Sequence, residues 1–235
     1  MFTKISSLIL AILLFFVFLG SAANLYVFVA SLVVLIFASL AINFKRLNFT
    51  WPHLMLPVIY LMATGSIFVI INSLTIRILF LICISVIFYL LELKLGKESH
   101  FLQNVYLLSV FAIFLSMFAF EFYFDVKVWY IVPISFLISY LLAVQGFAGF
   151  SLPSKKYFHL LIAVVTAEVT WALSFWPTHF FVQGVILFVF FYIMWLFSFS
   201  AFFGKLTRQK VYWQLTLAAI VLIVTLSTAP WRPIR

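Results

Sequence analysis

Charged residues are scarce in this chain. They fill 8% of 235 positions, with only five aspartates and glutamates together, against about 25% in an ordinary soluble domain. That scarcity excludes a water-facing surface of the size a globular fold needs. Cysteine occurs once, at Cys83, which excludes an intrachain disulfide and a multi-cysteine metal site; buried in an apolar helix, the thiol is expected to act as a small hydrophobe. His-Glu-x-x-His, Cys-x-x-Cys, Gly-x-Ser-x-Gly, Gly-x-Gly-x-x-Gly and the phosphate-cradling loop are all missing. Neither nucleotide-driven pumping nor familiar hydrolase chemistry is suggested, and no cofactor or metal is implied. No polar stretch is long enough for a soluble domain, so the simplest organisation is one integral membrane domain over residues 1–235.

What the chain does contain is apolar. Hydrophobic residues make up 67% of it, 32 of them phenylalanine, and the mean hydropathy is +1.29. The solvent must be lipid, in which each crossing helix needs about 20 apolar residues. Blocks of that kind fall at 1–23, 25–44, 54–72, 75–93, 101–124, 128–150, 157–176, 181–203 and 211–229. The fold class is therefore all-α, a polytopic transmembrane helical bundle of about nine spans. The first block imitates a signal peptide, with an apolar run over 8–19 and then Gly-Ser-Ala-Ala-Asn, and its removal would leave eight. Retention is favoured, because the second block follows at once and the pair reads as a helical hairpin. Thr50 is placed to cap the third helix, Pro52 sits in its first turn, and Pro57 interrupts it. The fourth runs out into a mixed-charge loop of Glu92, Lys94, Lys97, Glu98 and His100.

The net charge of +9 is dealt out in ones, twos and threes between the apolar blocks, a topology signal rather than a nucleic-acid surface. Alternating the loops puts Lys4, Lys45, Arg46, Lys94, Lys97, Lys155, Lys156, Lys205, Arg208 and Lys210 on one side. Arg77, Lys127, Arg232 and Arg235 fall on the other. The richer side is cytoplasmic, giving an N-terminus inside and a C-terminus outside. Trp51, Trp129, Tyr130, Trp176, Trp213 and Trp231 fall at helix ends, at headgroup level. The expected partners are the bilayer, anionic lipids at the cytoplasmic loops and a further membrane protein; nucleic acid is not expected. The expected location is the cell membrane.

One residue breaks the pattern. Glu168 lies near the middle of the seventh block, with no lysine or arginine at similar depth in any block. A charged side chain at the bilayer centre costs about 2.5–3.5 kcal/mol on insertion scales, so the carboxyl must be neutral or face a hydrated cavity. Reflecting the chain through its short loops brings Ser139, Tyr140 and Tyr192 to the same level, which predicts a polar cluster of Glu168 with those three hydroxyls. Ala163, Thr166, Ala167, Thr170 and Ser174 form a stripe of small and hydroxyl residues that lets another helix approach closely. Glu168 points well away from that stripe, which predicts protein on two sides of this helix.

A second group gathers at the predicted outer face: Glu121 and Asp125 four residues apart, with Lys127, Arg77 and His179. Paired carboxylates with a histidine suit a metal ion or a lipid headgroup, while Asp125 is also placed to cap the sixth helix. His53, His100 and His159 are expected at the cytoplasmic surface, solvated or against headgroups. Three function classes follow. The first is a small-solute or proton-linked carrier with Glu168 in its path, the second a structural or assembly subunit of a membrane complex, and the third a lipid-modifying enzyme working at one rim.

Overall fold

The computed structural model describes residues 2–21, 24–46, 51–96, 100–147, 155–202, 204 and 206–229. Among them the chain forms nine α-helices and no strand: α1 (Phe2–Ser21), α2 (Leu25–Arg46), α3 (Trp51–Ile70), α4 (Leu74–Lys94), α5 (His100–Phe124), α6 (Val128–Gly146), α7 (Lys155–Leu173), α8 (Phe180–Phe202) and α9 (Arg208–Thr228). Eight are long and apolar enough to cross a membrane, and the apolar part of α3, Leu54–Ile70, is shorter. The all-α, multi-span architecture read from hydropathy is the one observed. Thr50, Lys97, Glu98 and Trp231 lie outside the described residues.

Helix ends follow local chemistry. Asn24 accepts from the amides of Tyr26 and Val27 through Oδ1, at 2.9 and 3.3 Å, and starts α2; Thr207 accepts from the Lys210 amide at 3.3 Å and starts α9. Both satisfy amides that a helix leaves without partners in its first turn. α4 runs through Glu92 to Lys94 and stops at Gly96, whose φ of 82° suits a residue without a Cβ. α3 continues through Pro57 and α6 through Pro133, so Pro57 does not interrupt its helix. Proline is tolerated in membrane helices where neighbours re-satisfy the freed carbonyl.

The helices divide into two compact units, Met1–Ile113 and Phe114–Arg235, with the boundary inside α5. The single apolar domain expected from composition carries no mark there, because α5 is apolar on both sides of the boundary. In the first unit α1 packs on α2 and α4, α2 on α3, and α3 on α4. Its core includes Leu10, Leu14 and Phe18 of α1. The Phe18 ring meets Phe28 and Phe68 at 4.9 and 5.3 Å between centroids, so α1 is built into this unit rather than hung outside it. The Tyr60 hydroxyl donates to the Ile84 carbonyl at 2.8 Å and its ring stacks on Phe88, tying α3 to α4. Cys83 lies on the exposed side of α4, not buried as expected, because the buried row of that helix runs through Leu81, Ile84, Phe88 and Leu91.

In the second unit α6 and α7 form an antiparallel pair, α7 packs on α8, and α8 on α9. Four residues of the predicted small-residue stripe, Ala163, Thr166, Ala167 and Thr170, are on the packed face of α7, and Ser174, just past the helix end, is half-buried. Thr166 and Thr170 return their hydroxyls to carbonyls four residues back, so the stripe presents methyl groups and backbone to its neighbours. Gln183 of α8 donates to the carbonyls of Leu173 and Trp176 at 3.0 and 3.2 Å, closing the C-terminal end of α7. At Gly184 an added Cβ would stand 2.8 Å from the Leu115 Cα, so α8 meets the second half of α5 at a distance only glycine allows. Trp129, Tyr130 and Trp213 are exposed at helix ends, as interfacial rings would be, whereas Trp195 is buried.

Candidate functional site

The best-formed polar constellation is one that sequence reasoning placed in a loop. Glu92 is in the last turn of α4 and is 1% exposed. Ser39 and Asn43, one turn apart on the same side of α2, reach it. The Ser39 hydroxyl donates to Oε1 at 2.9 Å, and the Asn43 amide donates to Oε1 and Oε2 at 3.0 and 2.9 Å and to Ser39 Oγ at 3.3 Å. Hydrogen bonds to a carboxylate are about twice as strong as neutral ones. Here both carboxyl oxygens are engaged by donors from α2, while Asn43 Oδ1 is buried without a hydrogen-bond partner. The arrangement pins the C-terminal ends of α2 and α4 together at the basic side of the first unit. A sequence signal for it exists: Glu92 continues the spacing of Leu81, Ile84 and Phe88 on the buried face of α4, and the nearby lysines hide it as a loop charge.

Glu168 has the opposite environment. Counting about 1.5 Å per residue, it lies about 20 Å along α7 from Lys155 and about 8 Å from Leu173. A helix of this length crossing a hydrocarbon core of about 30 Å would carry it inside, nearer the Leu173 end than the middle. Its side chain is exposed, between Val164 and Trp171, which are exposed too. The predicted cluster is not assembled. Ser139 is fully buried and its hydroxyl has no hydrogen-bond partner. Tyr140 stands edge-on to the His159 ring at 6.0 Å, and Tyr192 packs between Phe188 and Trp195. Loop reflection gives depth but not direction. Two residues beyond Thr166 and two before Thr170, Glu168 is turned about 200° from each, so it faces away from the packed stripe. Within its own unit the Glu168 face of α7 is left open, so the protein expected on the second side of this helix is not supplied there.

His159 departs from its expected surface position. It is 4% exposed, stacked on Phe147 at 5.7 Å and edge-on to Tyr140, with Nε2 lacking a hydrogen-bond partner. It belongs to the α6–α7 contact through its ring. His100 is exposed at the start of α5.

The residues expected at the outer face fall in both units. Glu121 is half-buried beside Ser174, with Oε2 unpartnered. Asp125 is exposed at φ 52°, a left-handed turn position that aspartate tolerates better than most residues. It does not cap α6, whose N-cap is Lys127. His179 is engaged in starting α8: Nδ1 accepts from the Phe181 amide at 3.3 Å and the ring packs on Phe122. Arg77, in the first unit, donates from Nε to the Ile71 carbonyl and lies over the Phe68 ring. Among the described residues no group of three or more histidine, cysteine, aspartate or glutamate side chains is placed to hold a metal ion.

Residues 5–228 match the family described as Protein of unknown function (DUF5656), and the chain belongs to that family. No curated protein and no solved structure matches it.

Proposed function

We propose that this member of the family is an assembly subunit of a membrane complex, and that it holds a partner against the open face of α7 through Glu168. One observation supports this reading above the others: a carboxyl at hydrocarbon depth on an exposed, otherwise apolar helix face. Left in acyl chains, such a group carries an insertion penalty of up to about 3 kcal/mol. A neighbouring helix that offers a hydrogen bond removes much of that penalty and gains packing on Val164 and Trp171 at the same time. The protein works in the cell membrane, with Lys155, Lys156, Arg208 and Lys210 set against anionic headgroups.

The other readings have less support. A small-solute or proton-linked carrier acting through Glu168 needs that carboxyl enclosed on a wet path. A lipid-modifying enzyme needs several polar side chains converging at one rim. A solitary outward-facing acid supplies neither.

The test is the mass of the assembly extracted from native membranes in mild detergent and run on native gels. Glu168→Leu is expected to shift the chain from the assembled band to the free one, about tenfold in the ratio of the two, while Glu168→Gln, which still hydrogen-bonds, keeps most of it. An unchanged assembled band for Glu168→Leu sinks the proposal.

A further inference from the structure

The polar side chains where α5 and α7 end, in the second unit, are separate from the Glu168 face, and we infer that Glu121, Ser174 and Thr178 form a binding site for a small monovalent cation, of which sodium is the type. The inference uses none of the residues of the assembly reading and does not depend on it. Two oxygens there are closed to solvent and have no hydrogen-bond partner: Oε2 of Glu121 and Oγ1 of Thr178. Thr178 as a whole is 6% exposed. They share one neighbourhood. Glu121 stands beside Ser174, the first residue past α7. The next residue of α5, Phe122, sets its ring against His179 and Phe180 at 5.5 and 5.6 Å between centroids, immediately after Thr178 in the chain. The last turn of α5 is thus held against the connector between α7 and α8, which carries both hydroxyls.

One buried acceptor without a donor is ordinary in a folded chain. Two in one place, one of them on an acid, call for a ligand that brings positive charge. Nearby donors are spent elsewhere. The amides of Phe181, Val182 and Gln183 go to His179, the Gln183 side chain serves the carbonyls of Leu173 and Trp176, and the Ser174 hydroxyl donates to the Thr170 carbonyl at 3.0 Å, which leaves its oxygen free to accept. Lys127, on the connector after α5, is exposed and leaves Oε2 unpartnered.

The ligand set is oxygen only: one carboxyl, two hydroxyls and, next to them, the last-turn carbonyls of α5, which have no following amides in the helix and lie at the negative end of its dipole. Oxygen ligands suit hard cations. One carboxylate offsets one positive charge and would leave a divalent ion with uncompensated charge in a shielded place; among the described residues there is no third acid, histidine or cysteine to make up the difference. Oxygens closed to water favour a bare ion over an organic ammonium group. The way in is short, because Glu121 lies only about 4.5 Å along the axis from the end of α5, so an ion reaches it from the aqueous side without crossing hydrocarbon.

The experiment follows thermal unfolding of the full-length chain in mild detergent by tryptophan fluorescence, while sodium chloride replaces choline chloride at constant total salt. A ligand that binds only the folded chain raises the midpoint as its concentration passes the dissociation constant, so the midpoint is expected to climb with sodium. Radioactive sodium should bind the purified chain, and Glu121→Gln and Thr178→Val should each weaken that binding at least about tenfold, with Ser174→Ala doing less. An ion and a proton compete for the same carboxyl oxygens, so the sodium response should fade as the pH is lowered. Glu168→Leu should leave it unchanged, which keeps this site and the assembly surface separately testable. A midpoint indifferent to the exchange overturns the site, and so does sodium binding that Thr178→Val leaves intact; that near-isosteric variant decides the matter should Glu121→Gln fold poorly. A response to calcium or magnesium with none to sodium overturns the assignment to a monovalent ion.

Discussion

Glu92 and Glu168 are chemically identical side chains on apolar helices, and they are treated in opposite ways. Glu92 sits at a helix end, next to the basic side, yet is enclosed and receives hydrogen bonds from Ser39 and Asn43. Glu168 sits within α7, away from either end, and is exposed, with no hydrogen bond from its own unit. Depth in the membrane and burial in the protein are separate coordinates, and a carboxyl is costly only where both leave it without a donor. The first acid is a finished structural feature, a clamp between α2 and α4. The second is unfinished within one chain, which is why function is assigned to it.

If that contrast is right, the largest effect on folding comes from the enclosed acid. Glu92→Ala strands the Asn43 amide and the Ser39 hydroxyl in a buried site, a loss of about 3 kcal/mol. Unfolding of the purified chain in a mixed-detergent titration reads it directly, and a loss under about 1 kcal/mol would mean that the clamp adds little. Asn43→Ala comes next, at about 2 kcal/mol, because it removes donors from both carboxyl oxygens. Ser39→Ala follows at about 1 kcal/mol, because it takes away one hydrogen bond and leaves the amide in place. The two asparagine and glutamate changes should be strongly non-additive when combined, since either alone empties the same cluster.

Much of the helix pattern was legible from residue type alone. Lys45 and Arg46 end α2 where the charge stops the apolar run, and the Ala163, Thr166, Ala167, Thr170 stripe was readable as a contact face from its spacing. Direction around a helix is legible too, which is how Glu168 was seen to point away from that stripe. What hydropathy does not carry is the identity of the neighbour on each face. Ser139 and Tyr140 share only depth with Glu168: Tyr140 meets the His159 ring on the packed side of α7, and Ser139 is buried. Glu92 is hidden in the sequence for the converse reason. Lys94 and Lys97, two and five residues on, make the acid look solvated, and its donors are about fifty residues back in α2, too far for a local pattern to reveal. Asp125 looked like a cap because its type suits one, yet its positive φ makes it part of the turn before the true cap.

The smallest expected folding effect is at Glu168, and its smallness sharpens the contrast most. An exposed side chain with no internal partner has nothing to lose on truncation, so Glu168→Leu should leave the unfolding free energy of the detergent-isolated single chain within about 0.5 kcal/mol of the parent. The same substitution is expected to dissolve the proposed assembly, in which the carboxyl would be covered. A residue that matters for association and not for folding of the monomer is what separates an interface from a core. The measurement must therefore be made on the same sample at two concentrations, one where the chain is alone and one where it is assembled. A loss of about 2 kcal/mol or more in the dilute sample is the scale of a broken buried polar contact. It would place Glu168 in the same class as Glu92, and the distinction between a completed and an uncompleted acid would no longer hold.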